Sequence, residues 1–181
     1  ADDVLALRDR NGVTLRRILE RAGLDPGASH ALRRQPGDYL AFLEIHIEQG
    51  RVLEEEGLQV GVVEAIAAPT RMRLTLTGRA DHSGTTPMHL RRDALVGAAE
   101  VVLAVEQAAR EVTGAVATVG ALRVTPGVMN VVPGSAELSI DIRSIERART
   151  NKVTASVHRG ITETAARRKL DAHLELLNQQ D

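Results

Sequence analysis

The spacing of hydrophobic positions changes period several times along the chain. Leu15, Ile18 and Leu19 recur at helical spacing, after a turn at Asn11-Gly12 and before Gly23, which predicts a short helix. A polar loop through Pro26 and Pro36 follows. In LEIHIE, Leu43, Ile45 and Ile47 alternate with Glu44, His46 and Glu48, the two-residue period of a half-buried strand. GRVLEEEG, Gly50 to Gly57, reads as a short helix closed by glycine.

From about residue 60 the elements follow one another more regularly. VGVVEAI reads as a strand, APT as a break, and RMRLTLTGRA as a second extended run with Met72, Leu74 and Leu76 on one face. A helix fits Arg91 to about Val112, with Leu95, Ala98, Ala99, Val102, Val105 and Ala108 as its buried stripe. AVATVGALRVT and SAELSIDIRS read as strands separated by the turn-rich PGVMNVVPG. A second helix fits Ile145 to about Arg168, and DAHLELLN closes the series as a strand. Residues 70–181 therefore read β-α-β-β-α-β, the split-βαβ or ferredoxin-like order of an α+β fold.

Composition narrows the chemistry. The 181 residues carry 23 Lys+Arg against 24 Asp+Glu, and Tyr39 and Phe42 are the aromatic residues. Balanced charge argues against a nucleic-acid footprint, and missing aromatic platforms argue against single-strand binding by stacking. With no cysteine, disulfides, thiolate nucleophiles and Cys-type zinc sites are excluded. No apolar run reaches the length of a membrane span, so a cytoplasmic protein with no membrane partner is the default expectation.

Few residues are left for chemistry. On a strand, His46 would share a face with Glu44 and Glu48, which suits either a ligand for Zn²⁺ or Mn²⁺ or a solvated polar edge. Asp81, His82 and Ser83 are adjacent, so they cannot converge as a hydrolase triad, yet His82 sits on a loop of the kind that carries binding residues. Asn130 lies between two Pro-Gly turns and either meets a ligand or caps a turn. Arg143 shares a strand face with Asp141, and either grips a carboxylate with two parallel bonds or pairs locally. His30, His89, His158 and His173 read as surface residues, and Arg91-Arg92 as a solvated face at a helix start.

Taken together, LEIHIEQGRVLEEEG, GRADHSGTTPMHLRRDAL and PGVMNVVPGSAELSIDIRS resemble the allantoate amidohydrolase and N-carbamoyl-L-amino-acid hydrolase branch of the M20 metallopeptidase family. The resemblance implies metal-assisted hydrolysis of a ureido or carbamoyl carboxylate with release of ammonia. It also implies a homodimer whose subunits each hold two divalent metals, Zn²⁺ or Mn²⁺. Residues 1–67 would then be a strip of an α/β catalytic domain, and residues 68–181 a ferredoxin-like lid that makes the dimer contact. His46 corresponds to a metal ligand, and Gln49 to a residue that touches substrate. His82 corresponds to a lid histidine that reaches the partner subunit's site and stabilises the developing oxyanion. Asn130 and Arg143 correspond to substrate-binding positions, Arg143 to the carboxylate clamp. Glu44 and Glu48 receive no role.

The sequence departs from that family in its ligands. No H-x-D pair precedes His46, and Glu54 to Glu56 lie on a short helix downstream of it. The expectation is therefore a partial enzyme, inactive in isolation, that contributes a lid and one metal ligand. Two other readings stand beside it. One is a dimerisation or binding module without catalysis, including a small regulatory or RNA-binding α+β domain. The other is an aminoacylase or peptidase of the same family.

Overall fold

The computed structural model describes residues 2–179. It divides into two compact units, Ala1–Gly61 and Val62–Asp181.

The first unit holds three short helices, α1 (Asp2–Leu5), α2 (Leu15–Arg21) and α3 (Val52–Glu55), and a 3-10 segment, Pro26–Leu32. The Thr14 hydroxyl caps α2 by accepting from the Arg17 N–H at 3.3 Å, and Asp25 caps the 3-10 segment through the Gly27 N–H at 2.8 Å. The expected strand at LEIHIE is not formed, and neither is the one at VGVVEAI. Alternation supplies a face but not a neighbour, and a strand exists only where its N–H and C=O groups find a ladder partner. Both segments stay irregular, and Leu43, Ile45 and Ile47 stand 92%, 103% and 75% exposed.

In the second unit the elements run β1 (Ala68–Thr77), β2 (Asp81–His82), α4 (Ala94–Arg110), β3 (Ala115–Thr125), β4 (Val131–Val132), β5 (Ser135–Ser144), α5 (Arg147–Arg168) and β6 (Asp171–Gln179). Four strands form one sheet in the order β3-β5-β1-β6, every neighbouring pair antiparallel. This is the ferredoxin-like order, with β5 lying between β1 and β3. APT is not a break; it opens β1, in register with Ile142 to Ser144.

Strict alternation builds the core. Met72, Leu74 and Leu76 of β1 and Ala136, Leu138, Ile140 and Ile142 of β5 face the helices, meeting Val101 and Val105 of α4 and Val153 and Val157 of α5. Fully burying each Leu or Ile stabilises by about 1.5–3 kcal/mol. No aromatic residue takes part. The buried stripe of α4 is rotated from the expected one: Ala94, Gly97, Ala98, Val101, Val105 and Ala108 face inward, while Leu95 turns out. Small residues win the inner face because the Leu170 side chain and α5 come close. A Cβ at Gly97 would sit 2.3 Å from Leu170 Cδ1, and one at Gly160 of α5 would sit 3.0 Å from Ala104 Cβ.

The opposite face of the sheet is a lattice of exposed ion pairs. Arg71 reaches Asp141 at 3.0 Å, Arg73 reaches Glu175 at 3.1 Å and Arg123 reaches Glu137 at 3.1 Å. Pairs this open contribute little each, about 0–1 kcal/mol, so the sheet is held from its helical side.

Candidate functional site

The arm that carries His82 leaves the sheet at the end of β1. Gly78 donates its N–H to Gly134 O at 2.8 Å, and the Arg79 N–H reaches Arg92 O at 2.9 Å. A Cβ at Gly78 would stand 1.9 Å from that carbonyl oxygen, so only glycine permits the crossing. Asp81 and His82 then pair with Val132 and Val131, forming a ribbon of two residues per strand. Such strands are too short to show a period, so the sequence suggested only a loop here. The ribbon brings His82 beside Asn130, whose carbonyl accepts from the Ser83 N–H at 2.9 Å.

The His82 imidazole is exposed. Its Nδ1 accepts the Gly84 N–H at 3.1 Å, so in the neutral ring the proton sits on Nε2. The outward nitrogen is thus a donor, the polarity that an oxyanion requires. Asp81 does not orient this ring, because its carboxylate bonds Arg79 at 2.7 Å.

Arg91 and Arg92 are not a solvated face. Both are half-buried: Arg91 donates to Ser83 O at 2.6 Å and Thr86 O at 3.0 Å, and Arg92 to Lys169 O at 2.5 Å and Asp171 at 3.1 Å. The Ser83 and Thr86 carbonyls are reachable because the loop folds back on the helix start, and Lys169 O because α5 ends beside it, neither of which helix periodicity could reveal.

Arg143 stands elsewhere. It lies on the open face of β5 and grips Asp141 with two bonds, at 2.7 and 3.1 Å. That guanidinium, with Arg71 beside it, holds the Asp141 carboxyl below its usual range. Along β5, Arg143 follows Ser135 by eight residues; at roughly 3.4 Å each this is about 27 Å of strand. His82 and Asn130 branch from the Ser135 end, so one chain does not bring its His82 and its Arg143 together.

In the first unit, His46 Nδ1 faces Ile47 O at 2.5 Å. A carbonyl can only accept, so Nδ1 carries the proton and Nε2 keeps a free lone pair, the form that binds a metal. Glu48 is engaged differently: its carboxylate accepts the N–H groups of Val52 and Leu53, at 2.7 and 3.2 Å, and caps α3. Gln49 adopts a left-handed backbone, φ +57°, rare for a residue with a Cβ and a mark of constrained sites.

Among the described residues, no three His, Cys, Asp or Glu side chains gather as a metal site would need. A catalytic zinc takes three protein ligands, so His46 does not fit a complete centre by itself. A cavity of about 520 Å³ beside the His82 arm is lined by Met88, His89, Arg91, Val96, Arg168 and Lys169, among others. There Glu100 offsets the charge of Arg168, whereas Arg91 spends donors on neutral carbonyls and keeps its charge.

A split ferredoxin-like sheet carrying a histidine arm at one end defines a known class of module. Residues 70–169 match the M20 peptidase dimerisation domain family, and the chain belongs to that family. It is 44% identical over 144 residues to an N-carbamoyl-L-amino acid amidohydrolase of Geobacillus stearothermophilus, covering 80% of this chain and 35% of that one. It is 42% identical over 146 residues to a ureidoglycolate hydrolase of Arabidopsis thaliana, covering 79% of this chain and 31% of that one. A solved amidase of the hydantoinase/carbamoylase family from Burkholderia multivorans superposes with a TM-score of 0.83 at 33% identity, over 98% of this chain and 42% of that one. The chain thus spans about a third to two fifths of the length of these relatives.

Proposed function

We propose that this chain supplies the lid and one metal-ligand strip of an amidohydrolase that cleaves the C–N bond of a ureido or carbamoyl carboxylate, an allantoate or an N-carbamoyl-L-amino acid, releasing ammonia. The observation that carries the reading is that His82 and Asn130 branch from the Ser135 end of β5 while Arg143 lies eight residues along it, about 27 Å of strand. A small carboxylate cannot span that distance. It can meet Arg143 of one subunit and His82 with Asn130 of another, so the site works only between two copies. The dimerisation-domain family of residues 70–169 supports the same arrangement.

In this reading Arg143 exchanges Asp141 for the substrate carboxylate, and His82 donates from Nε2 to the oxygen that gathers charge. Asn130 and Gln49 orient the substrate. His46 offers Nε2 to a divalent metal, Zn²⁺ or Mn²⁺, whose remaining donors come from outside these residues. The exposed Leu43, Ile45 and Ile47 support that view, because a run of bare apolar side chains marks a surface meant to be covered.

The 181 residues alone then act as a dimerisation module rather than an enzyme. The test is ammonia release from allantoate and N-carbamoyl amino acids with Mn²⁺ or Zn²⁺, comparing this chain with a protein of the relatives' full length that contains it. Turnover by the long protein only is expected. Robust turnover by the 181 residues would refute the reading.

A further inference from the structure

We infer that Arg91 is a positioning residue for His82: its guanidinium fixes the Ser83–Gly84 peptide, and the N–H of that peptide holds the imidazole as its Nε2–H tautomer. Ser83 C=O and Gly84 N–H belong to one planar trans peptide and point in opposite directions from it. Arg91 Nη2 donates to the carbonyl at 2.6 Å, and the amide donates to His82 Nδ1 at 3.1 Å. Arg91 Nε also donates to Thr86 O at 3.0 Å, so the guanidinium is tied at two points and cannot pivot about the first bond.

Three features make this arrangement a device rather than a coincidence of loop packing. His82, Gly84 and Thr85 are exposed, so apolar contacts do not set the ring. A cation on the carbonyl strengthens the amide as a donor, because charge-assisted bonds polarise the group they engage. Gly84 leaves room for the ring, since a Cβ there would lie 3.2 Å from His82 Cε1. Histidines oriented by a carboxylate or carbonyl usually donate from the oriented nitrogen and present an acceptor. Here an N–H faces Nδ1, so the presented nitrogen is a donor. Lysine, a flexible point donor in place of a rigid fork, would hold the two oxygens less firmly.

The functional consequence rests on the proposed role of His82; the tautomer does not, and it can be measured without turnover. Long-range ¹H–¹⁵N correlation spectra of the 181-residue chain, with His82 assigned from a His82→Gln variant, give the Nε2–H to Nδ1–H ratio. The expected ratio exceeds that of free histidine by about five- to tenfold, what one retained hydrogen bond confers. Arg91→Met should return it toward the free value, with Arg91→Lys between the two. Gly84→Ala displaces the ring while leaving Arg91 intact, and should lower the ratio even if Arg91→Met fails to fold. A wild-type ratio equal to free histidine, or a ratio unmoved in folded Arg91→Met or in Gly84→Ala, overturns the inference. Undiminished hydrolysis by His82→Ala in the longer enzyme would instead sink the functional reading and leave the tautomer result standing.

Discussion

Replacing Gly78 by alanine tests whether the root of the histidine arm is as tight as its geometry demands. The new Cβ would fall 1.9 Å from Arg92 O, 2.9 Å from Arg92 C and 2.9 Å from Leu170 Cδ2. A backbone carbonyl cannot rotate away like the end of a side chain, so the two segments must part by more than about 1 Å to restore ordinary contact. Parting them loosens the Arg79 N–H to Arg92 O bond and the Gly78 N–H to Gly134 O bond, at 2.9 and 2.8 Å. Two such bonds contribute about 0.5–1.5 kcal/mol each, and overpacking adds about 1–3 kcal/mol. Reduced freedom of the unfolded chain returns about 0.4–1 kcal/mol. The net is a destabilisation of about 3 kcal/mol, or roughly 9 °C in Tm at about 3 °C per kcal/mol for a chain of this size. Urea unfolding followed by far-ultraviolet circular dichroism reads α4 and α5 directly, and the midpoint should fall with little change in slope. Gly84→Ala is the matched control: its Cβ meets only the exposed His82 ring, so it should cost no more than about 1 kcal/mol, the worth of the one bond it disturbs. If Gly78→Ala also stays within that margin, the crossing is not close-packed and the anchoring argument for the arm fails.

Three further outcomes are expected. Leu138→Ala removes a side chain with no exposed surface from the centre of the sheet and should cost about 3–5 kcal/mol in the same unfolding assay. Arg168 and Arg167 beside Glu100 lower its carboxyl from 4.5 to about 2, opposed by partial burial. A depressed carboxyl stabilises the fold above its unfolded value and loses that contribution as pH falls. Wild type should therefore exceed Glu100→Gln in Tm at pH 7 and converge with it between about pH 4.5 and 2; a gap that persists at pH 2 would refute the pairing. In the longer enzyme, Arg143→Ala should lower kcat/KM for a carboxylate substrate by about tenfold or more, the worth of a charge-assisted bond. An unchanged kcat/KM in steady-state ammonia release would remove Arg143 from the clamp.

How much of this was legible in the sequence depended on the range of the interaction involved. The period-two runs at 71–77, 115–125, 135–144 and 171–178 and the helical runs between them carried their own evidence. Alternation and 3.6-residue spacing reflect which face is buried, and burial is what the sheet and its helices have in common. The βαββαβ order followed from them; the family came separately, from the resemblance carried by the three motifs around His46, His82 and Asn130. Where an element needed a partner that the period could not name, the sequence fell short. LEIHIE alternates well and forms no strand, because nothing among the described residues pairs with it. Asp81–His82 and Val131–Val132 show no period and do pair, because the Gly78 crossing and the return through Gly134 bring them side by side. The inward face of α4 was decided by how near Leu170 and α5 approach it, which favoured Gly97 and Ala98 over Leu95. Residue types and local order determined that His82, Asn130, Arg143 and His46 were candidates. Only the tertiary structure decided that the first two stand together, that Arg143 stands a strand's length away, and that an arginine read as solvent-facing grips the peptide that orients the histidine. Hydrogen bonds between segments distant in sequence depend on where the chain returns, and a one-dimensional period carries no record of that return.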